Sequence, residues 1–182
     1  SDQQTPGFIN AAVKRGLDAG ETFYTWQGGI PDLRAALARY HERHFGHKFS
    51  PDEFIVTIGG MQAITLALQA TAGAGDEAIY LEPAWPNFAA AAELSGANPI
   101  AVPLDFTNGR WQIDLARVEA AITPKTRALF INTPSNPTGA AAALGPLSDL
   151  LAMARPPGLW RLADPTSPPS PHAAGPAPPF PP

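Results

Sequence analysis

Three short segments carry residues whose types and spacing suit chemistry. Ile58-Gly59-Gly60-Met61-Gln62 passes from an apolar run through two glycines into a helical stretch. Glycines let a backbone approach an anion, and a helix N-terminus offers it free N–H groups. The same residues also read as a tight turn without a ligand, and they match neither a dinucleotide-binding fingerprint nor a Walker loop. Thr133-Pro134-Ser135-Asn136-Pro137-Thr138-Gly139 follows a second apolar run. Ligands of open α/β sheets bind beyond the carboxyl ends of strands, where this turn falls, with a rigid loop as the alternative. Asp164 ends the apolar run 159–163, either as a functional carboxylate at a strand tip or as a helix cap. His41, His44 and His47 share one side of a helix end. With no carboxylate cluster or second ligand segment nearby, they read as a solvated face rather than a metal site.

These segments need elements to hold them. Periodicity predicts helices over 9–19 and 32–45, the second capped by Asp32, with Leu33, Leu37, Tyr40 and His44 at helical spacing. The run 54–58 is apolar and rich in β-branched residues, hence a strand broken by Gly59-Gly60, and 62–71 is an apolar helix. Strands are then expected at 78–81, 100–104, 128–132 and 159–163, separated by helices at 87–94, 115–122 and 147–154. Strands alternating with helices of this length specify an α/β class, a three-layer α/β/α sandwich on a mostly parallel sheet.

Composition narrows the function. The chain has 182 residues, a net charge of -4 and 45% apolar residues, enough for one core and without a basic face for nucleic acid or an anionic membrane. It has no cysteine, which excludes disulfides and thiolate metal sites. No apolar run approaches the roughly 18 residues of a membrane span, and no secretion signal opens the chain, so a cytoplasmic location is expected.

The segments in their order resemble class I/II pyridoxal-phosphate-dependent aminotransferases of the aspartate aminotransferase type (fold type I). The resemblance runs through Tyr24-Thr25-Trp26-Gln27-Gly28-Gly29-Ile30-Pro31-Asp32-Leu33-Arg34 and Gly59-Gly60-Met61-Gln62-Ala63. It continues in Pro83-Ala84-Trp85-Pro86-Asn87-Phe88, Ile122-Thr123-Pro124-Lys125-Thr126-Arg127 and Asn136-Pro137-Thr138-Gly139. It implies pyridoxal 5'-phosphate as cofactor and amino transfer between an amino acid and a 2-oxo acid, with a related lyase or a non-catalytic truncated product as alternatives. It also implies that Asp164 faces the ring nitrogen, Asn136 the phenolic oxygen and Trp85 the ring face. Gly60, Met61 and Gln62 correspond to the phosphate turn. Tyr24 corresponds to a tyrosine that reaches the phosphate of a neighbouring subunit, which implies a homodimer. Cis peptides are expected at Glu82-Pro83 and Asn136-Pro137. In the family the sheet has seven strands, and the counterpart of 54–58 pairs with an antiparallel strand that follows the counterpart of Asp164.

The implied organisation is an N-terminal arm and dimer-contacting segment at 1–31, a partial cofactor-binding large domain at 32–164, and a disordered Pro-rich tail at 165–182. Nine of the last eighteen residues are proline. The family continues Asp-Glu-x-Tyr after the ring-nitrogen aspartate, whereas Asp164 is followed by Pro165, Thr166 and Ser167. Lys14, Lys48 and Lys125 are the only lysines, and none sits in the motif of the Schiff-base lysine, so no catalytic residue is assigned and the chain is expected to be an inactive fragment. Together with Pro156-Pro157 and Arg161, this departure is read as a shift of reading frame in a GC-rich gene. Resequencing tests that reading.

Overall fold

A computed structural model describes residues 4–155 and 158–164. Its contacts divide into two compact units, Ser1–Val56 and Thr57–Pro182. The expected tail at 165–182 lies outside the described residues.

The first unit holds α1 (Gly7–Asp18), α2 (Pro31–Phe45) and a 3-10 turn at Pro51–Glu53. α2 opens differently from the expectation. Pro31, with its fixed φ and no N–H, takes the first helical position, so Asp32 lies inside the first turn and makes no capping hydrogen bond. Its charge there opposes the positive helix end instead. Gly46 stops the helix in the left-handed conformation, φ 73°. The 3-10 turn was not foreseen, although Ser50 and Glu53 form a reciprocal capping box across it. Arg34 binds the carbonyls of Pro51 and Phe54 and the carboxylate of Asp52. His41 packs among the rings of Phe45, Phe49 and Phe54, His44 against Tyr40, and His47 against Phe49. His41 and His47 are therefore half-buried against aromatic rings, while His44 stays on the exposed face.

The second unit runs α3 (Gly60–Thr71), β1 (Glu77–Glu82), α4 (Asn87–Leu94), β2 (Asn98–Pro103), β3 (Asp105–Thr107), β4 (Arg110–Gln112), α5 (Leu115–Ala121), β5 (Thr126–Asn132), α6 (Leu144–Met153) and β6 (Trp160–Asp164). β2, β1, β5 and β6 form a parallel sheet in that spatial order. Alternation along the two central strands builds two cores. Ala78, Tyr80, Ala128 and Phe130 pack with Leu68, Phe88, Ala91 and Ala92 from α3 and α4. Ile79, Leu129 and Ile131 pack on the other face with Val118, Leu147, Leu150 and Leu151 from α5 and α6. Period-two side chains on a sheet covered on both sides give the three-layer α/β/α arrangement, here as a partial domain.

Two differences from the sequence reading have physical causes. The run 54–58 is extended at Phe54 but joins no ladder among the described residues; the Val56 N–H donates instead to the carbonyl of Gly28, in a turn, at 2.9 Å. The hairpin β3–β4 was missed, although Asn108-Gly109 at φ 53° and 73° is the dipeptide a tight hairpin demands. Cis peptides occur at Glu82-Pro83 and Asn136-Pro137, as expected, and also at Thr133-Pro134. No helix among the described residues is long and apolar enough to cross a membrane.

Candidate functional site

The chain winds from β1 outward to β2, then returns to place β5 and β6 on the other side of β1. Where winding reverses, the loops leaving the carboxyl ends of adjacent strands part and leave a crevice. A cleft of about 250 Å³ lies there, bordered by Gly60, Met61, Ile64, Ala84, Trp85, Phe88, Phe130, Asn132, Asn136 and Asp164. Its apolar floor is Phe88 stacked on Phe130, with ring centroids 4.1 Å apart and an interplanar angle of 15°.

One wall is the N-terminus of α3. Gly59 precedes it at φ 119° and ψ 164°, a region in which only glycine is comfortable, and no side chain caps the helix. The first-turn N–H groups are therefore left to a ligand or to water. Thr57 Oγ1 donates to the Gly59 carbonyl at 3.0 Å, and the Ile58 N–H donates to Gln62 Oε1 at 2.8 Å. Gly60 and Met61 border the cleft, while Gln62 turns its side chain back to brace the entering chain and does not border it.

The opposite walls come from the strand ends. Trp85, in the loop after β1, is half-exposed. The turn after β5 is closed on itself, since Gly139 N–H donates to the Ser135 carbonyl at 2.7 Å and Ser135 N–H to the Ala140 carbonyl at 2.8 Å. Within it the Asn136 carboxamide has no hydrogen-bond partner among the described residues, while its main-chain N–H donates to Asn132 Oδ1 at 2.7 Å. Asp164 ends β6 opposite Asn132, and its carbonyl accepts from Asn132 Nδ2 at 2.8 Å. Asp164 thus sits at a strand tip.

Near the cleft floor, burial pushes the Tyr80 phenol above its ordinary value of 10.0, helped by its 3.0 Å bond to Glu82 and by the charges of Glu82 and Glu93. Tyr24 belongs to the first unit, where its side chain is fully exposed. The structure therefore gathers Gly60, Met61, Trp85, Asn136 and Asp164 around one cleft, with Gln62 behind its wall. Sequence reasoning missed Asn132. Its position at the end of an apolar run, four residues before Asn136, was the available sign, because an asparagine there can close a local turn with its side chain.

No group of three or more metal-ligating side chains occurs among the described residues. The cleft instead offers N–H groups suited to an anion, an indole face, a carboxamide and a carboxylate.

Comparison with known proteins gives the same direction. The family model for aminotransferase class I and II matches residues 1–165. The chain is 40% identical over 164 residues to an aspartate/prephenate aminotransferase of Cereibacter sphaeroides, covering 90% of this chain and 41% of that protein. It is 41% identical over 139 residues to the enzyme of that name from Thermus thermophilus, covering 76% of this chain and 36% of the relative. Among solved structures, N-succinyldiaminopimelate aminotransferase of Mycobacterium tuberculosis superposes with a TM-score of 0.86 at 30% identity, covering 90% of this chain and 43% of that one. Aspartate aminotransferase of Thermus thermophilus with maleate gives 0.85 at 37% identity, covering 90% and 42%. The chain thus spans about two fifths of the length of the curated relatives it matches.

Proposed function

The chain belongs to the class I and II aminotransferases, and from that premise we propose that its parent protein moves amino groups between an amino acid and a 2-oxo acid, using pyridoxal 5'-phosphate held in the crevice beyond β1, β5 and β6. The observation that carries this reading is the convergence of an uncapped helix N-terminus, Trp85, Asn136 and Asp164 on one cleft at the point where the sheet's winding reverses. The donor set fits a flat aromatic phosphate with one ring nitrogen and one phenolic oxygen.

When bound, the cofactor supplies an electron sink for the charge left on the substrate carbon. The chain's own residues make that sink available. The main-chain N–H groups of Gly60, Met61 and Gln62 hold the phosphate at a helix N-terminus. Trp85 offers a ring face for stacking and keeps water from it. Asn136 donates from its free carboxamide to the phenolic oxygen. Asp164 keeps a proton on the ring nitrogen, because an adjacent carboxylate favours the charged form.

Among the described residues no lysine borders the cleft. Lys125 precedes β5, at the end of the sheet opposite the crevice. We therefore place the covalent anchor outside these 182 residues, and the chain alone holds cofactor reversibly without turnover. Tyr24, fully exposed beside the exposed Phe23 and Trp26, is proposed to reach a partner subunit's phosphate in a homodimer.

Aspartate is the donor to try first, since several relatives are named for it. The test follows ¹⁵N from labelled aspartate into 2-oxoglutarate with purified full-length protein and pyridoxal phosphate. Labelled glutamate is expected, and its loss in Asp164→Ala. Failure of a panel of amino donors to transfer label, or transfer that ignores Asp164→Ala, contradicts the proposal.

A further inference from the structure

β5 ends on Asn132, whose carboxamide is engaged at both ends. Nδ2 donates to the main-chain carbonyl of Asp164 at 2.8 Å, and Oδ1 accepts from the main-chain N–H of Asn136 at 2.7 Å. Asp164 is also its cross-strand neighbour, the last pair of the β5–β6 register. Among the described residues β6 pairs only with β5. The Asn132 amide adds a side-chain bond at the last pair of that register. The same side chain holds the first residue of the Asn136-Pro137 step through its N–H, four residues downstream.

The requirement for an amide is specific. A carboxylate would set a second acceptor against the Asp164 carbonyl, and an aliphatic side chain would leave both a donor and an acceptor unmatched. Glutamine carries the amide one methylene too far.

We propose that Asn132 is a positioning residue of this site. By fixing the main chain at Asp164 and at Asn136 together, it sets the directions in which the carboxylate and the carboxamide enter the crevice. It thereby sets how firmly the cofactor's ring nitrogen holds its proton. This inference rests on the pyridoxal reading given above. Asn132 itself borders the cleft, and its carboxamide reaches the main chain of both groups.

The experiment uses the full-length protein and the variants Asn132→Ala, Asn132→Leu, Asn136→Ala and the Asn132→Ala/Asn136→Ala pair. Two quantities are read, the dissociation constant of pyridoxal phosphate for the apoprotein and the pH midpoint of the bound cofactor's visible absorbance. Loss of one or two neutral hydrogen bonds, one half-buried and one exposed, corresponds to at most about a 10-fold weaker cofactor. Asn132→Ala is expected to show that loss together with a displaced pH midpoint. The paired variant should lose less than the product of the two single losses, because Asn132 acts partly through Asn136. An unchanged constant and midpoint in Asn132→Ala overturns the inference, as does a fully multiplicative pair. Should Asn132→Ala fail to fold, Asn132→Leu decides, since it keeps the side-chain size and loses both bonds without adding a charge beside the cleft. A displaced midpoint there supports the inference and an unchanged one overturns it. Wild-type apoprotein that binds no pyridoxal phosphate is a separate result, and it refutes the underlying reading rather than the role of Asn132 within it.

Discussion

Adding one methyl group at Gly59 isolates the contribution of the α3 entry. A Cβ built there meets no atom within 4 Å, so packing does not enter the account. The backbone does, because φ 119° with ψ 164° lies where side-chain-bearing residues pay about 1–3 kcal/mol. Alanine at this position relaxes toward negative φ and turns the first-turn N–H groups of α3 away from the cleft. Binding of a phosphate must then restore the strained geometry, so affinity falls by the same amount, about 5- to 150-fold. Gly46→Ala is the control. It too meets no atom within 4 Å at a positive φ of 73°, but it closes α2 in the other unit. It should cost about 1–2 kcal/mol of stability and leave cofactor affinity unchanged. The assay pairs denaturant unfolding with titration of pyridoxal phosphate by tryptophan fluorescence in the full-length protein. The reasoning fails if Gly59→Ala binds like wild type, or if Gly46→Ala weakens binding equally.

Further expectations concern the rest of the chain. Gly29→Ala places a Cβ 2.5 Å from Val56 Cγ2 at φ 99°, which should destabilise by about 2–4 kcal/mol in denaturant unfolding, with part of the loss recovered on adding Val56→Ala. The Tyr80 phenol is held above 10.0 in the folded state, so its contribution to stability is complete below that pH and declines as pH rises through the folded value. Thermal unfolding measured against pH should show that decline, and Tyr80→Phe should remove it. The 182-residue chain should release pyridoxal phosphate on dialysis and give no borohydride-stable adduct at a single lysine, which mass spectrometry of the reduced protein would check.

Much of this was legible in the sequence because local patterns and the fold agree. The apolar alternation of Ala78-Ile79-Tyr80-Leu81 and Ala128-Leu129-Phe130-Ile131 marks strands, and each half of the alternation feeds one of the two cores. Asn87–Leu94 begins and ends where its alanine-rich run does. Other features depend on partners that periodicity does not describe. The residues 54–58 have a strand's composition, but a ladder needs a neighbouring strand, and Val56 meets only the turn carbonyl of Gly28. His41 is polar by type, yet the rings of Phe49 and Phe54 that half-bury it come from outside its own helix. Asp32 was read as a cap because caps favour aspartate, while Pro31 had already taken the first helical position. At the site, Asn136 and Asp164 were visible as residues that end strands or follow them, whereas Trp85 came only from the family resemblance. Asn132 was hidden because its function is to hold two others, and only the fold shows which groups its amide meets.

The account's central claim is that the crevice beyond β1, β5 and β6 holds pyridoxal phosphate through these particular residues. A crystal structure of the full-length protein with pyridoxal phosphate tests it most directly. The account predicts the phosphate on the N–H groups of Gly60–Gln62, the ring against Trp85, Asn136 on the phenolic oxygen, and the Asp164 carboxylate about 2.7–2.9 Å from the ring nitrogen. A cofactor bound elsewhere, or one in this crevice with its ring nitrogen turned away from Asp164, would contradict it.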